Sequence, residues 1–171
     1  MMASPAARAM PTSLVSAVSE TVIDIGVRLV YLHREAIEMR TLAAVLAGLM
    51  TALVVITLVE AVGHTVMPPP EGHDPMTPEG MSAIVAQMSP AELLFVLLAY
   101  LCGGVAGGVV AVKVSGGDRV IEALGVGTIL TVGALLNVMT IPHPIWMSGA
   151  SVAIQLPAAW LGARLAVRRA G

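Results

Sequence analysis

The sequence predicts an all-α integral membrane protein: a transmembrane four-helix bundle with an N-terminal amphipathic helix at the membrane interface. Three observations lead there. Of 171 residues, 57% are hydrophobic and only 12% charged, too few charges to clothe a water-soluble surface of this size. Four uncharged apolar stretches each run about 20 residues, the length that crosses a hydrocarbon core of about 30 Å at 1.5 Å per residue. All nine basic residues fall on one side of those stretches. The same composition excludes a disordered chain. A single cysteine, Cys102, excludes an internal disulfide and a thiolate metal cluster within one chain. A net charge of -2 gives no ground for a nucleic-acid partner.

Residues 1–11 read as a flexible N-terminus; Arg8 is followed by no uninterrupted apolar core, so no cleaved signal is expected. Residues 12–40 follow helical periodicity. Leu14, Val18, Val22, Ile25, Leu29 and Leu32 form one apolar stripe, and Glu20, Asp24 and Arg28 line another face at spacings of four. Arg34 and Glu38 make a further pair four apart, and Thr12 after Pro11 is a suitable N-cap. Spanning with this helix would place three charges in hydrocarbon, at roughly 2.5–3.5 kcal/mol each, so it should lie on the membrane or against the bundle.

Residues 41–171 form the membrane domain, with spans at about 41–60, 92–112, 122–141 and 144–164. The apolar runs are continuous rather than alternating, which favours helices over a barrel. Ser89-Pro90-Ala91-Glu92 is a capping box with proline in the first turn; Asp118 can cap the third span and Pro144 suits the start of the fourth. Between spans, the loop 64–91 carries Pro68-Pro69-Pro70, expected to be extended. A short helix should follow, starting at Asp74-Pro75 or Thr77-Pro78 and ending near Gln87 or Met88. This loop has no lysine or arginine. Arg8, Arg28, Arg34 and Arg40 precede span one, Lys113 and Arg119 follow span two, and Arg164, Arg168 and Arg169 follow span four. That asymmetry places both termini of a multi-pass chain in the cytoplasm. Trp146 and Trp160 would then mark the outer and inner interfaces.

Span two contains two overlapping small-residue pairs, Gly103/Gly107 and Gly104/Gly108, expected to be helix-packing seams, either within the bundle or toward a homo-oligomer or a membrane-protein partner. Pro157 frees a carbonyl one turn earlier, and Gln155 sits beside that bend. Glu60 and His64 share a helix face at the outer end of span one, with Asn137 in the outer third of span three and His143 between two prolines just beyond it. These four are the candidate ligand or proton site. Two readings stand beside it: Glu60 and His64 as an interfacial pair that ends the helix, and Glu60, His64 and His143 as ligands of Zn²⁺ or a similar metal. Otherwise no cofactor is expected, and no catalytic signature is present.

The pattern resembles a group of small bacterial inner-membrane proteins of four predicted spans. The likeness lies in Glu60-x-x-Gly63-His64, the proline run before Asp74-Pro75, the glycine-rich segment after Leu98-Ala99-Tyr100, and Asn137 followed by Pro142-His143-Pro144. It covers roughly residues 42–165, leaving 1–40 outside, and implies topology rather than an activity. The function expected from sequence is an accessory, scaffold or assembly protein contacting membrane lipid. The alternatives are a small oligomeric transporter or channel-like module with an outward polar site, and a metal-dependent membrane enzyme.

Overall fold

A computed structural model describes residues 12–68, 70–116 and 120–167, the side chains of 12–19, 22 and 23 excepted. Among these residues the fold is wholly helical. Five helices follow in order: α1 (Thr12–Val66), α2 (Pro78–Gln87), α3 (Pro90–Ser115), α4 (Ile121–Thr140) and α5 (Ile145–Val167). Four of them, all but α2, are long and apolar enough to cross a membrane.

The first helix differs from expectation. Instead of a helix ending near residue 40 and a separate span, α1 is one uninterrupted helix of 55 residues. Nothing between Gly26 and Gly48 breaks it: no proline or glycine intervenes, and Arg34 donates to Glu38 at 3.0 Å one turn on. The chain nevertheless divides into two compact units, with the boundary inside α1 between Met39 and Arg40. In the first unit Asp24 and Arg28 pair at 3.0 Å, and Leu29, Val30, Tyr31 and Leu32 are all exposed. The side chains of Thr12, Leu14, Val18 and Val22 lie outside the described residues, as do Arg8, Pro69, Gly117, Asp118, Arg119, Arg168 and Arg169.

The second unit is built on α3, whose two glycine pairs face two different helices. On one edge, a Cβ at Gly107 would stand 2.7 Å from the Gly48 carbonyl oxygen of α1. One at Gly103 would meet the Ile56 side chain and the Ala52 carbonyl. On the other edge, a Cβ at Gly104 would stand 2.7 Å from the Ala158 methyl of α5, and one at Gly108 would collide with the Ala159 backbone. Gly162 of α5 answers in kind against the Val105 carbonyl, and Gly127 of α4 lies against Ala159. Backbones approach this closely only where side chains are absent or a single methyl. Alanine accordingly makes up much of the core: Ala52, Ala99, Ala111, Ala123, Ala159 and Ala163 are fully buried, beside the larger Leu93, Val112, Val126 and Met147. Large apolar side chains such as Leu46, Leu53, Leu94, Leu98, Leu135, Leu136 and Met139 point outward.

Capping is local and explicit. Thr77 caps α2, its hydroxyl accepting from the Gly80 N–H at 3.1 Å, with Pro78 next in the first turn. Asp74 turns the chain into it by accepting from the Met76 N–H at 2.9 Å. At the start of α3 the Ser89 N–H donates to Glu92 at 2.6 Å and the Glu92 N–H to the Ser89 hydroxyl at 3.4 Å. This helix ends at Gly116, whose φ of 99° is the left-handed conformation that glycine adopts without strain. There Arg40 donates to the Val114 carbonyl at 3.4 Å. The cap of α4 is Val120, which has no side-chain acceptor, and Asp118 lies outside the described residues. The Pro144 carbonyl accepts from the Ser148 N–H at 3.0 Å at the start of α5.

One prediction follows from the seams. Gly108→Ala forces a methyl into the Ala159 backbone, whereas a methyl at Gly133 of α4 meets nothing within 4 Å. Thermal unfolding of both variants in mild detergent should show Gly108→Ala destabilised, by about 1–3 kcal/mol for an overpacked contact, and Gly133→Ala unchanged or slightly more stable. Equal midpoints for the two would remove the seam from the account.

A candidate polar groove beside Glu60

Between α1 and α4 the bundle changes character along its length. At the end that carries the α3–α4 turn the two helices touch: Val45 lies over Gly125, and a Cβ at Gly48 would stand 2.8 Å from Val126. Toward the other end they leave a groove of about 390 Å³. Leu49, Leu53, Ile56 and Glu60 of α1 form one wall, and Ile129, Leu130, Gly133, Ala134 and Asn137 of α4 form the other. Tyr100 of α3 and Gln155 of α5 complete the lining.

Four polar side chains therefore meet an otherwise apolar surface. Gln155 is 2% exposed and its Oε1 has no partner. A buried amide carbonyl without a partner costs about 1–3 kcal/mol by mutational measure, so an unused acceptor on a residue that borders a groove is a feature to explain. Glu60 also borders a second, smaller cavity of about 20 Å³, lined by Gly63, His64, Met67, Met88, Glu92, Phe95 and Val96. The close approach of Gly63 to the Phe95 ring, where a Cβ would stand 2.6 Å away, sets the wall between α1 and α3 there.

The four residues singled out in the sequence are thus divided by the structure. Glu60 and His64 share the small cavity, and Glu60 and Asn137 share the groove. His143 lines neither. Its Nδ1 stands 2.6 Å from the Ile141 carbonyl oxygen, which holds the ring against its own proline-flanked turn. Among the described residues no three His, Cys, Asp or Glu side chains gather as a metal-holding group, so Glu60, His64 and His143 do not form the ligand set considered above. Gly103, Gly104, Gly107 and Gly108 sit at the helix contacts already described.

Sequence reasoning passed over two contributors. Tyr100 was noted only as a neighbour of the glycine run, and Gln155 only for its place beside Pro157. A third residue, Glu122, was not singled out. It is 2% exposed in the first turn of α4, with the Thr41 hydroxyl 3.4 Å from Oε1 and no partner on Oε2. It lies at the opposite end from the groove. The signal available for all three is the same: a large polar side chain in an otherwise largely apolar helix.

Among the described residues of the second unit the basic groups gather at one end. Arg40, Lys113 and Arg164 stand at the end of the α3–α4 turn, where the Arg164 guanidinium lies 4.9 Å from the centre of the Trp160 ring. No lysine or arginine occurs between Glu60 and Val112. Comparison with protein-family models, curated proteins and solved structures yields no match.

Replacing Gln155 by leucine, similar in volume, removes the unpartnered oxygen. The unliganded variant should melt at or above the wild-type midpoint, by up to about 1–3 kcal/mol of added stability. A clear fall would mean that the amide is satisfied in the native state.

Proposed function

We propose that the chain is a multi-pass protein of the bacterial inner membrane whose four-span bundle binds a small solute in the groove beside Glu60, as a transporter- or channel-like module. One observation carries this reading: Gln155, whose Oε1 is buried and unpartnered, is among the residues that line the same groove as Glu60, Tyr100 and Asn137. A bundle built only to hold other proteins gains nothing from an unsatisfied acceptor in its interior, and polar side chains at membrane depth generally serve binding or transfer. The groove volume falls within the roughly 300–1,000 Å³ of small-molecule sites.

The orientation follows from the basic residues, which put both termini in the cytoplasm and the α2 end outside. The groove then opens in the outer half. Glu60 borders both the groove and the small cavity under Met88, so it stands where a solute arriving from outside would first meet a carboxylate. Four spans leave little room for an enclosed path, so the working unit is a homo-oligomer. The likeness to small four-span inner-membrane proteins agrees with this topology.

An accessory or assembly role is the second reading. It is favoured by the exposed apolar side chains Leu29, Val30, Tyr31, Leu32 and Met39 in the first unit, which suit a partner helix as well as lipid.

Thiol accessibility separates the readings. In a Cys102→Ala background, Asn137→Cys and Glu71→Cys should both react with a small charged methanethiosulfonate added to the outer side of intact inner membranes. An inert Asn137→Cys beside a reactive Glu71→Cys would contradict an outward-opening groove. Reaction of both only after the membrane is opened would reverse the orientation.

A further inference from the structure

The small cavity beyond Glu60 is bordered by donors of a kind the groove lacks. One imidazole and two thioethers belong to its lining residues: His64, Met67 and Met88. Its volume of about 20 Å³ admits little more than one water-sized body, so an atom placed there lies against several of these residues at once. His64 and Met67 stand three apart on one face of the last turn of α1, which the Met67 N–H prolongs by donating to the Gly63 carbonyl at 2.8 Å. Met88 comes from the end of α2. Its N–H donates to the Ile84 carbonyl at 3.1 Å and to the Val85 carbonyl at 3.3 Å, and the Ser89 capping box follows at once. The close approach of Gly63 to the Phe95 ring fixes the end of α1 against α3. The backbone is thus held at all three donors, while the three rotatable bonds of methionine leave each sulfur free to turn toward the cavity.

The donor types discriminate between ligands. The Glu60 carboxylate and the His64 ring interact electrostatically, and a carboxylate beside a ligating imidazole orients the ring and raises its basicity. Glu92, the other carboxylate of the lining, already accepts from the Ser89 N–H at 2.6 Å. Hard cations such as Ca²⁺ and Mg²⁺ ask for about six or more oxygen ligands, which this lining does not offer. Zn²⁺ draws on imidazole, thiolate and carboxylate, and among the described residues no three His, Cys, Asp or Glu gather as a metal-holding group. An anion would meet two carboxylates and no lysine or arginine. Thioether sulfur is a soft, neutral donor that selects Cu(I), and imidazole serves copper equally.

We infer that the small cavity between the end of α1 and the start of α3 binds one Cu(I) ion, held by a ring nitrogen of His64 and the thioether sulfurs of Met67 and Met88. Glu60 orients the ring and balances the charge of the ion. The ion enters and leaves as Cu(I), so no electron changes hands. Met88 also packs beside Leu93, Leu97 and Met147, which sets one ligand in the apolar core of the bundle. The site is separate from the groove, although Glu60 borders both, and it does not depend on the groove's being a binding site.

The test uses the full chain purified in mild detergent, with Cu(I) kept reduced by ascorbate under argon and competed against bicinchoninate, whose coloured copper complex reports what the protein does not hold. The wild type should withhold one equivalent. Met67→Leu and Met88→Leu, which keep an apolar side chain of similar volume, should each weaken retention at least about 10-fold, and so should His64→Ala. Met76→Leu, at an exposed position outside the cavity, should retain copper as the wild type does. X-ray absorption at the copper edge of the loaded wild type, a measurement that needs no variant to fold, should show sulfur and nitrogen neighbours. No copper withheld by the wild type, wild-type retention by both Met67→Leu and Met88→Leu, or a loss in Met76→Leu as large as theirs would overturn the assignment. A copper edge showing oxygen neighbours without sulfur would overturn it as well.

Discussion

The close approach of the α3 backbone to its neighbours is the constraint from which the rest of the bundle follows. Gly103 and Gly107 let α1 in on one edge, and Gly104 and Gly108 let α5 in on the other. With backbones in near contact there is no room for large side chains at the seams, where alanine and glycine meet, while Val112, Val126, Leu130 and a cluster of Leu93, Leu97 and Met147 are buried elsewhere in the bundle. The leucines, valines and methionines that carry most of the apolar area turn outward. In water that arrangement would expose far more apolar surface than a monomer tolerates. In lipid it is the economical one, because hydrocarbon tails receive leucine as readily as a protein core does and helices associate by close contact instead.

The same constraint explains where polar chemistry can sit. Along the seam there is no space for it. Where α1 and α4 cease to touch, beyond Gly48 and Val126, a groove opens, and Tyr100 of α3 and Gln155 of α5 complete its lining. Glu60 closes the groove at the α2 end and borders the small cavity beyond it. Glu122 is the corresponding exception at the opposite end: its Oε2 is buried without a partner beside Thr41. A bundle of small residues thus carries unsatisfied carbonyl or carboxyl oxygens at two depths.

Much of this was legible in the sequence and some of it was not. The helices α3, α4 and α5 correspond to uncharged runs of the right length, and the Ser89 capping box and the start of α2 at Thr77-Pro78 were readable because caps are local chemistry. The continuity of α1 was not, because a change from an amphipathic to a wholly apolar pattern changes what a helix faces without interrupting its hydrogen bonds. The glycine pairs announced close contact, but spacing within one helix does not say which neighbour fills which edge. Gln155 and Tyr100 went unassigned to the site for the same reason: their meeting with Glu60 depends on how three other helices are arranged around α1. His143 misled because proximity in topology is not orientation; its ring is held by the Ile141 carbonyl two residues away.

The claim that underlies all of this is that the bundle packs on seams of small residues and turns most of its large apolar side chains toward hydrocarbon. A carbene precursor dissolved in the lipid of reconstituted vesicles, photolysed and mapped by mass spectrometry, reads that directly. Modification should concentrate on Leu94, Leu98, Leu135, Leu136 and Met139, and should spare Ala99, Ala111, Ala123 and Ala159. Adducts spread over the alanine positions, or outward leucines that are modified only by a water-soluble reagent, would contradict the account.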